Sequence, residues 1–377
     1  MHVPLIRPDL PSIEDVQVQF AEILSSGRIT NFGKYVNQFE AETADYLGVP
    51  TVAVSSGSAG LIFTLCALGL DGARKVILPS FTFMATAQAV LFSGGVPVFA
   101  EVDDDLNLSA TDLERLLRLH PDTGAVIPVH MYGLPARTAE IEAVVERASR
   151  AVGRRIAVMY DAAHAFGASA GGRRVGGFGD AEVFSLSVTK VLVTVEGGLV
   201  ASHRPELIER IRCMRNYGIR SNYNAHFAGL NGKMSEFHAI VGLQNLRKID
   251  SLMAERQRKA RAYREKVESA SEFRLAAWPE DVVHTFKDFT VRVPEGWGQQ
   301  RRDAAIALLA ERGVETRAYF FPPVHEQEFF RGFADRPLPR TEALSRQVIT
   351  LPFFTSITAE QMDYVADQLH RAEKEIA

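Results

Sequence analysis

Two hydrophobic patterns alternate along the first half of the chain. Short apolar or β-branched runs of four or five residues recur at 52–55, 75–78, 96–100, 125–128, 156–160, 183–186 and 198–201. Between them lie stretches with helical spacing, or apolar all round, at 59–68, 85–92, 111–119 and 137–152. Short runs separated by helical stretches predict a mostly parallel sheet covered on both faces. Ser109 stands where an N-cap belongs, with Asp112 in the following first turn.

After about residue 203 the pattern changes. Residues 205–216 predict a helix, and a polar, irregular stretch follows, YGIRSNYNAHFAGLNGKM. Residues 235–261 predict one long helix or a bent pair. A smaller α/β unit comes next, with strands near 285–293 and 314–318 and helices at 301–312 and 359–376. The expected organisation is a large domain over 1–245 and a small C-terminal domain over 246–377, joined by a helix at about 235–265.

Composition narrows the field. The chain has 377 residues, 46% hydrophobic and 23% charged, as ordinary globular proteins do. A net charge of −4 offers no attraction for nucleic acid or anionic lipid. Two cysteines give neither a disulfide framework nor zinc spacing. The first residues lack a signal-peptide pattern, and no long uncharged apolar run suggests a membrane span. A cytoplasmic enzyme or binding protein is expected.

Four places carry candidate chemistry. SSGSAG, residues 55–60, joins a strand to a helix. It reads either as a phosphate cradle of free backbone N–H groups or as a tight turn with a capping serine. In YDAAHAFGA, residues 160–168, Asp161 ends a buried strand, where ligands of open α/β sheets collect. His164 follows, either as a ligand contact or as a backbone-bonded core histidine. In FSLSVTKVLV, residues 184–193, Ser185, Ser187 and Thr189 alternate as on one strand face, and Lys190 is a lone ammonium among apolar neighbours. It either escapes to the surface or is used. Phe83, between a strand and a helix, either packs in the core or stacks on a flat ligand.

Together these parts suit pyridoxal 5′-phosphate. The phosphate needs N–H groups and hydroxyls, and the ring needs an aromatic plate. The aspartate keeps the pyridine nitrogen protonated, and a lysine made neutral by burial can form a Schiff base.

These residues bring the chain to a family. It resembles the DegT/DnrJ/EryC1/StrS sugar aminotransferases along almost its whole length. The shared stretches include SGRITNFGKYVNQFEAETADYLGV, LPSFTFMATAQAVLFSGGVPVFAEVD, PVHMYGLPA, VGGFGDAEVFSLSVTK, GLNGKMSEFHAIVGLQNL and PLPRTEALSRQVITLPFF. The resemblance implies an α/β, fold-type I architecture like that of aspartate aminotransferase, and homodimers with shared active sites. It implies that Lys190 carries the cofactor and moves protons, and that Asp161 pairs with the ring nitrogen. His164 would bond the phenolic oxygen, and Phe83 would stack on the ring. Gly57, Ser58 and Ser185 would hold the phosphate, and Asn231 would reach the cofactor of the neighbouring subunit.

The chain departs from the common pattern at Val191, a frequent asparagine, at Lys233, a frequent arginine, and at Arg137, a frequent aspartate. None of the three belongs to the cofactor set.

The implied reaction moves an amino group from L-glutamate to a nucleotide-linked keto-deoxysugar. A dTDP-4-keto-6-deoxy-D-glucose acceptor is expected, in deoxyaminosugar biosynthesis for an antibiotic or a surface glycan. A C-3 ketone and a UDP- or GDP-linked sugar are the alternatives. Dehydratase relatives carry histidine at the Lys190 position, and a non-catalytic regulator is the rival of another class. Candidate sugar-nucleotide contacts are Thr30, Asn31, the loop from Arg220 to Gly229, Lys233, Arg317, and the segment from Tyr319 to His325. The Glu196-Gly197-Gly198 break reads as a turn between strands, with no chemistry assigned to Glu196.

Overall fold

A computed structural model describes residues 1–70 and 72–376. Its centre is a seven-stranded sheet in the order Thr51–Val54, Gly198–Ala201, Ala181–Ser185, Ala157–Asp161, Thr123–Val126, Lys75–Pro79 and Val96–Ala100. Gly198–Ala201 is antiparallel to both its neighbours, and the remaining pairings are parallel.

The strands are mostly apolar because both faces are covered. Alternate residues go to opposite sides. Ala53, Ile77, Val126, Val158, Tyr160 and Phe184 join one core, with the helices Lys34–Leu47, Thr138–Val152 and Glu236–Leu246. Val54, Leu78, Ala125, Met159 and Val183 join the other, with Gly57–Leu68, Met84–Phe92 and Pro205–Met214. A separate core combines Val3 with residues 260–369, among them Tyr263, Phe289, Val291, Ile349 and Leu369.

The predicted alternation of strand and helix is present, and the Ser109 side chain caps Ala110–Leu119 by accepting the Asp112 N–H. The bent pair is the observed alternative: Glu236–Leu246 and Ile249–Ala270 are two helices. Two helices that the pattern did not single out, Ile13–Ser26 and Lys34–Leu47, precede the sheet.

Four expectations need correction. Residues 314–318 form no strand. Val314 and Arg317 make isolated bridges to Val3 and Thr350, and the small antiparallel sheet is instead Arg274–Leu275, Phe289–Arg292 and Val348–Leu351. The strand expected near 285–293 spans only Phe289–Arg292, because Thr285 and Lys287 spend their N–H groups on the Gly133 and Tyr132 carbonyls. The stretch after Tyr217 is not wholly irregular. Ile219–Ser221 pairs with Asn224–Ala225 as a hairpin whose tip, Asn222 and Tyr223, has φ of 52° and 53°. Left-handed φ at both tip positions matches the twist that closes tight hairpins. Finally, the strand carrying Ser185 stops there. Ser187 and Thr189 lie on a turn closed by the Lys190 N–H on the Ser187 carbonyl.

Candidate active site

The carboxyl ends of the strands carry the predicted residues to one place. Val54 and Ser185 both pair with Gly198, so the 55–60 turn lies beside Ser185. A Cβ added to Gly57 would lie 2.9 Å from the Ser185 Cβ. One on Gly198 would lie 2.4 Å from the Ser56 carbonyl oxygen. That close approach accounts for glycine at 198, within the break that the sequence left unexplained.

The 55–60 turn is both things that its sequence allowed. Ser56 caps the helix Gly57–Leu68: its Oγ accepts the Ala59 N–H, and its carbonyl accepts the Gly60 N–H. The N–H groups of Gly57 and Ser58 have no internal acceptor among the described residues. They point an anion site at the helix start.

A cavity of about 340 Å³ opens here. Its lining includes Gly57, Ser58, Phe83, Asp161, His164, Ser185, Lys190 and Tyr319, together with Glu196. Ser187 and Thr189 also reach it from their turn.

Asp161 is 5% exposed, and its oxygens accept from Thr86 Oγ1 at 2.8 Å and from the Ala163 N–H at 3.0 Å. Burial raises the Asp161 pKa, opposed first by the Thr86 bond. Behind Asp161, the His130 N–H holds its carbonyl, and the His130 ring is fixed at 2.8 Å on the buried Glu182 carboxylate.

Lys190 forms no ion pair among the described residues. Burial, and then the nearby Lys287 ammonium, bring its pKa down to about 7, while Asp288, Asp161 and Glu196 pull the other way. Val191, Leu192 and Val193 are buried beside it. The lysine is half-buried, and no partner among the described residues neutralises it.

Phe83 is 53% exposed and lines the cavity mouth, so it is no core residue. The His164 carbonyl accepts from Thr285 Oγ1 at 2.6 Å, while its Nδ1 has no hydrogen-bond partner among the described residues.

Other candidates lie off this cavity in the single chain. Thr30 and Asn31 are exposed on a loop clamped by Glu236, whose carboxylate accepts the Gly33 and Tyr35 N–H groups at 2.9 and 2.7 Å. Arg220 is exposed on the hairpin, and Asn231 is exposed opposite Asn216. Lys233 lies 4.9 Å from the centre of the Tyr217 ring. Arg317 is exposed and bridges Thr350 through its backbone. His325 is buried behind the wall, bonded to Ser80 Oγ at 2.6 Å and facing Glu342 at 3.4 Å.

Sequence reasoning missed Thr86, Lys287 and Asp288. Thr86 left no signal beyond its place in the 79–87 motif. Lys287 did leave one: it shares strand parity with Phe289, Val291 and Val293, so alternation turns a cation inward.

The cavity fits pyridoxal phosphate on its own observations. It offers an anion site at a helix start, hydroxyls at Ser58 and Ser185, a buried carboxylate and an unpaired lysine. An aromatic stands at the mouth, and a buried imidazole nitrogen lacks a partner.

The comparisons agree. The model of the DegT/DnrJ/EryC1/StrS aminotransferase family matches residues 12–370. The UDP-N-acetyl-3-dehydro-α-D-glucosamine 3-aminotransferase of Acidithiobacillus ferrooxidans is 32% identical over 370 residues, covering 95% of this chain and 96% of its own. A pleiotropic regulatory protein of Geobacillus stearothermophilus is 30% identical, covering 97% and 94%. DesI, solved in the presence of its TDP-sugar product, superposes with a TM-score of 0.90 at 33% identity, covering 100% of this chain and 94% of its own. The chain therefore belongs to the DegT/DnrJ/EryC1/StrS aminotransferase family and depends on pyridoxal 5′-phosphate.

Proposed function

We propose that the protein transfers an amino group from L-glutamate to the ketone of dTDP-4-keto-6-deoxy-D-glucose. The observation that carries amino transfer is the unpaired Lys190 amine, its pKa brought down to about 7, in the same cavity as buried Asp161. The likeness to DesI, a protein solved with a TDP-sugar product, supports the nucleotide. The likeness to a UDP-sugar 3-aminotransferase favours the second reading, a C-3 ketone on a UDP-sugar.

When bound, pyridoxal phosphate supplies an electron sink beside the transferred nitrogen. The chain's own residues do the rest. The Gly57 and Ser58 N–H groups, with the Ser58 and Ser185 hydroxyls, bind the phosphate. Asp161 stays ionised to hold a proton on the ring nitrogen, and Thr86 helps it do so. Phe83 covers one face of the ring. Lys190 would hold the cofactor and, once released, would take up and return a proton at its Nζ, as base and then acid. A pKa near 7 suits both tasks.

The proposed active unit is a homodimer. Phe83 at the cavity mouth, Tyr223 at the hairpin tip and Leu230 beside Asn231 are exposed apolar side chains, and a second copy would cover them. Asn231, Arg220 and Lys233 would then serve the partner's cavity, with Thr30, Asn31 and Arg317 as further sugar-nucleotide contacts. Lys233 and Arg137 remain accessible to solvent, and Arg137 is engaged by Asp103 and Asp105. The proposed compartment is the cytoplasm; no described helix is long and apolar enough to cross a membrane.

Absorbance and product analysis test the reading together. A visible cofactor band that bleaches with glutamate supports an enzyme, and the regulator reading requires no response to any amino donor. NMR of products from a panel of 3-keto and 4-keto sugar nucleotides then identifies carbon, stereochemistry and nucleotide.

A further inference from the structure

One buried cluster on the cavity wall is not used by the cofactor reading. Lys287 and Asp288, 7% and 4% exposed, lead into the strand Phe289–Arg292 and line the cavity. Lys287 Nζ is 2.6 Å from Asp288 Oδ1. Asp288 Oδ2 is sealed from solvent with no hydrogen-bond partner among the described residues. His164 Nδ1 is in the same condition, and the two atoms face each other at 4.0 Å. Two unpaired buried polar atoms are costly, and pairing them removes both penalties at once.

The backbones on either side are tied together. Thr285 donates its N–H to the Gly133 carbonyl at 3.1 Å and its Oγ1 to the His164 carbonyl at 2.6 Å. The Lys287 N–H reaches the Tyr132 carbonyl at 2.9 Å, and Arg256 Nε reaches the Thr285 carbonyl at 3.0 Å. With the main chains fixed, closing the 4.0 Å separation to the usual hydrogen-bond length of about 2.8 Å is left to side-chain rotation.

We propose that Asp288 is a positioning residue for His164: its free carboxylate oxygen accepts a hydrogen bond from the Nδ1–H, which keeps the proton on Nδ1 and leaves Nε2 as the nitrogen that accepts from the cavity. Lys287 occupies the other carboxylate oxygen and leaves Oδ2 as the one that faces the ring. The groups facing the ring are Lys190, Lys287, His284 and Asp288. Burial, then the first three of these, hold the imidazole pKa well below its usual range. The ring is therefore neutral, and one nitrogen carries the proton. Fixing that proton on Nδ1 makes Nε2 a reader of a hydroxyl rather than of an oxyanion. The consequence for pyridoxal phosphate, a phenolic oxygen held protonated, rests on the cofactor reading; the tautomer itself does not.

Full-length protein labelled with ¹⁵N in its histidine rings tests the proposal, with and without added pyridoxal phosphate. His164 is assigned by the resonances lost in His164→Gln. The wild type should show Nδ1 in the protonated range and Nε2 in the unprotonated range. Asp288→Ala should move Nδ1 out of the protonated range or average the two nitrogens. The paired replacement Lys287→Met with Asp288→Leu, which leaves no buried charge unpaired, should do the same and guards against misfolding of the single variant. An unprotonated Nδ1 in the wild type, or an unchanged tautomer in the folded variants, overturns the proposal. The cofactor reading fails separately, if pyridoxal phosphate adds no visible absorbance band to the wild type.

Discussion

Thr86 Oγ1 donates a 2.8 Å hydrogen bond to Asp161 Oδ2, and both side chains are buried. Burial pushes the Asp161 carboxyl toward its neutral form, and this bond is the largest effect opposing it. Thr86→Val keeps the shape and loses the donor, so Asp161 protonates more readily and holds the ring nitrogen less well. A hydrogen bond to a charged group contributes about 1.5–3 kcal/mol. Cofactor affinity should fall by about 10- to 100-fold, measured by equilibrium titration, and Thr86→Ser should restore most of it. Unchanged affinity in Thr86→Val would remove Thr86 from the site.

Lys190 gives a pH prediction. Its pKa is lowered to about 7, so the amine is largely neutral above that pH and protonated below it. Covalent loading of the cofactor-free protein needs the neutral amine. The loading rate, followed by absorbance, should rise with pH and level off above about 7, where an ordinary lysine would still be rising toward 10. Lys190→Ala should bind the cofactor noncovalently at best and lose turnover by about 10²–10⁴-fold or more. Retained turnover refutes its role.

Gly198 tests the packing of the phosphate turn. A methyl there would meet the Ser56 carbonyl oxygen at 2.4 Å and the Gly57 nitrogen at 2.7 Å, and both are backbone atoms that cannot rotate away. Gly198→Ala should cost about 1–3 kcal/mol, lowering Tm by about 2–4 °C for each kcal/mol, and should weaken phosphate binding. Gly298→Ala meets no atom within 4 Å, and its Tm should stay within the effect of about 1 kcal/mol. Equal behaviour of the two variants would contradict the close-approach argument.

Asn231 gives the test of a shared site. It is exposed and off its own chain's cavity. In a homodimer with shared sites, Asn231→Ala should weaken cofactor retention by about tenfold, one hydrogen bond to a charged group. Light scattering should report a dimer for wild type and variant alike. A monomer, or full retention in the variant, counts against sharing.

The local patterns of the chain determined much of this protein. Apolar runs of strand length set the sheet, Ser109 announced its helix, and the motifs around Gly57, Phe83, Asp161 and Lys190 sat at strand ends, where the topology converges. Each depends on neighbours a few residues away, and hydrophobic period and turn chemistry record such neighbours. Tertiary structure decided the rest. Alternation suggested that Ser187 and Thr189 continue a strand, and only the packed turn shows that they do not. Glycine at 198 answers to the Ser56 backbone across the sheet. Asp288 comes to His164 because Thr285 bonds a carbonyl 121 residues earlier in the chain. Contacts of that span depend on strand register and on how the second core docks, and no local period encodes either.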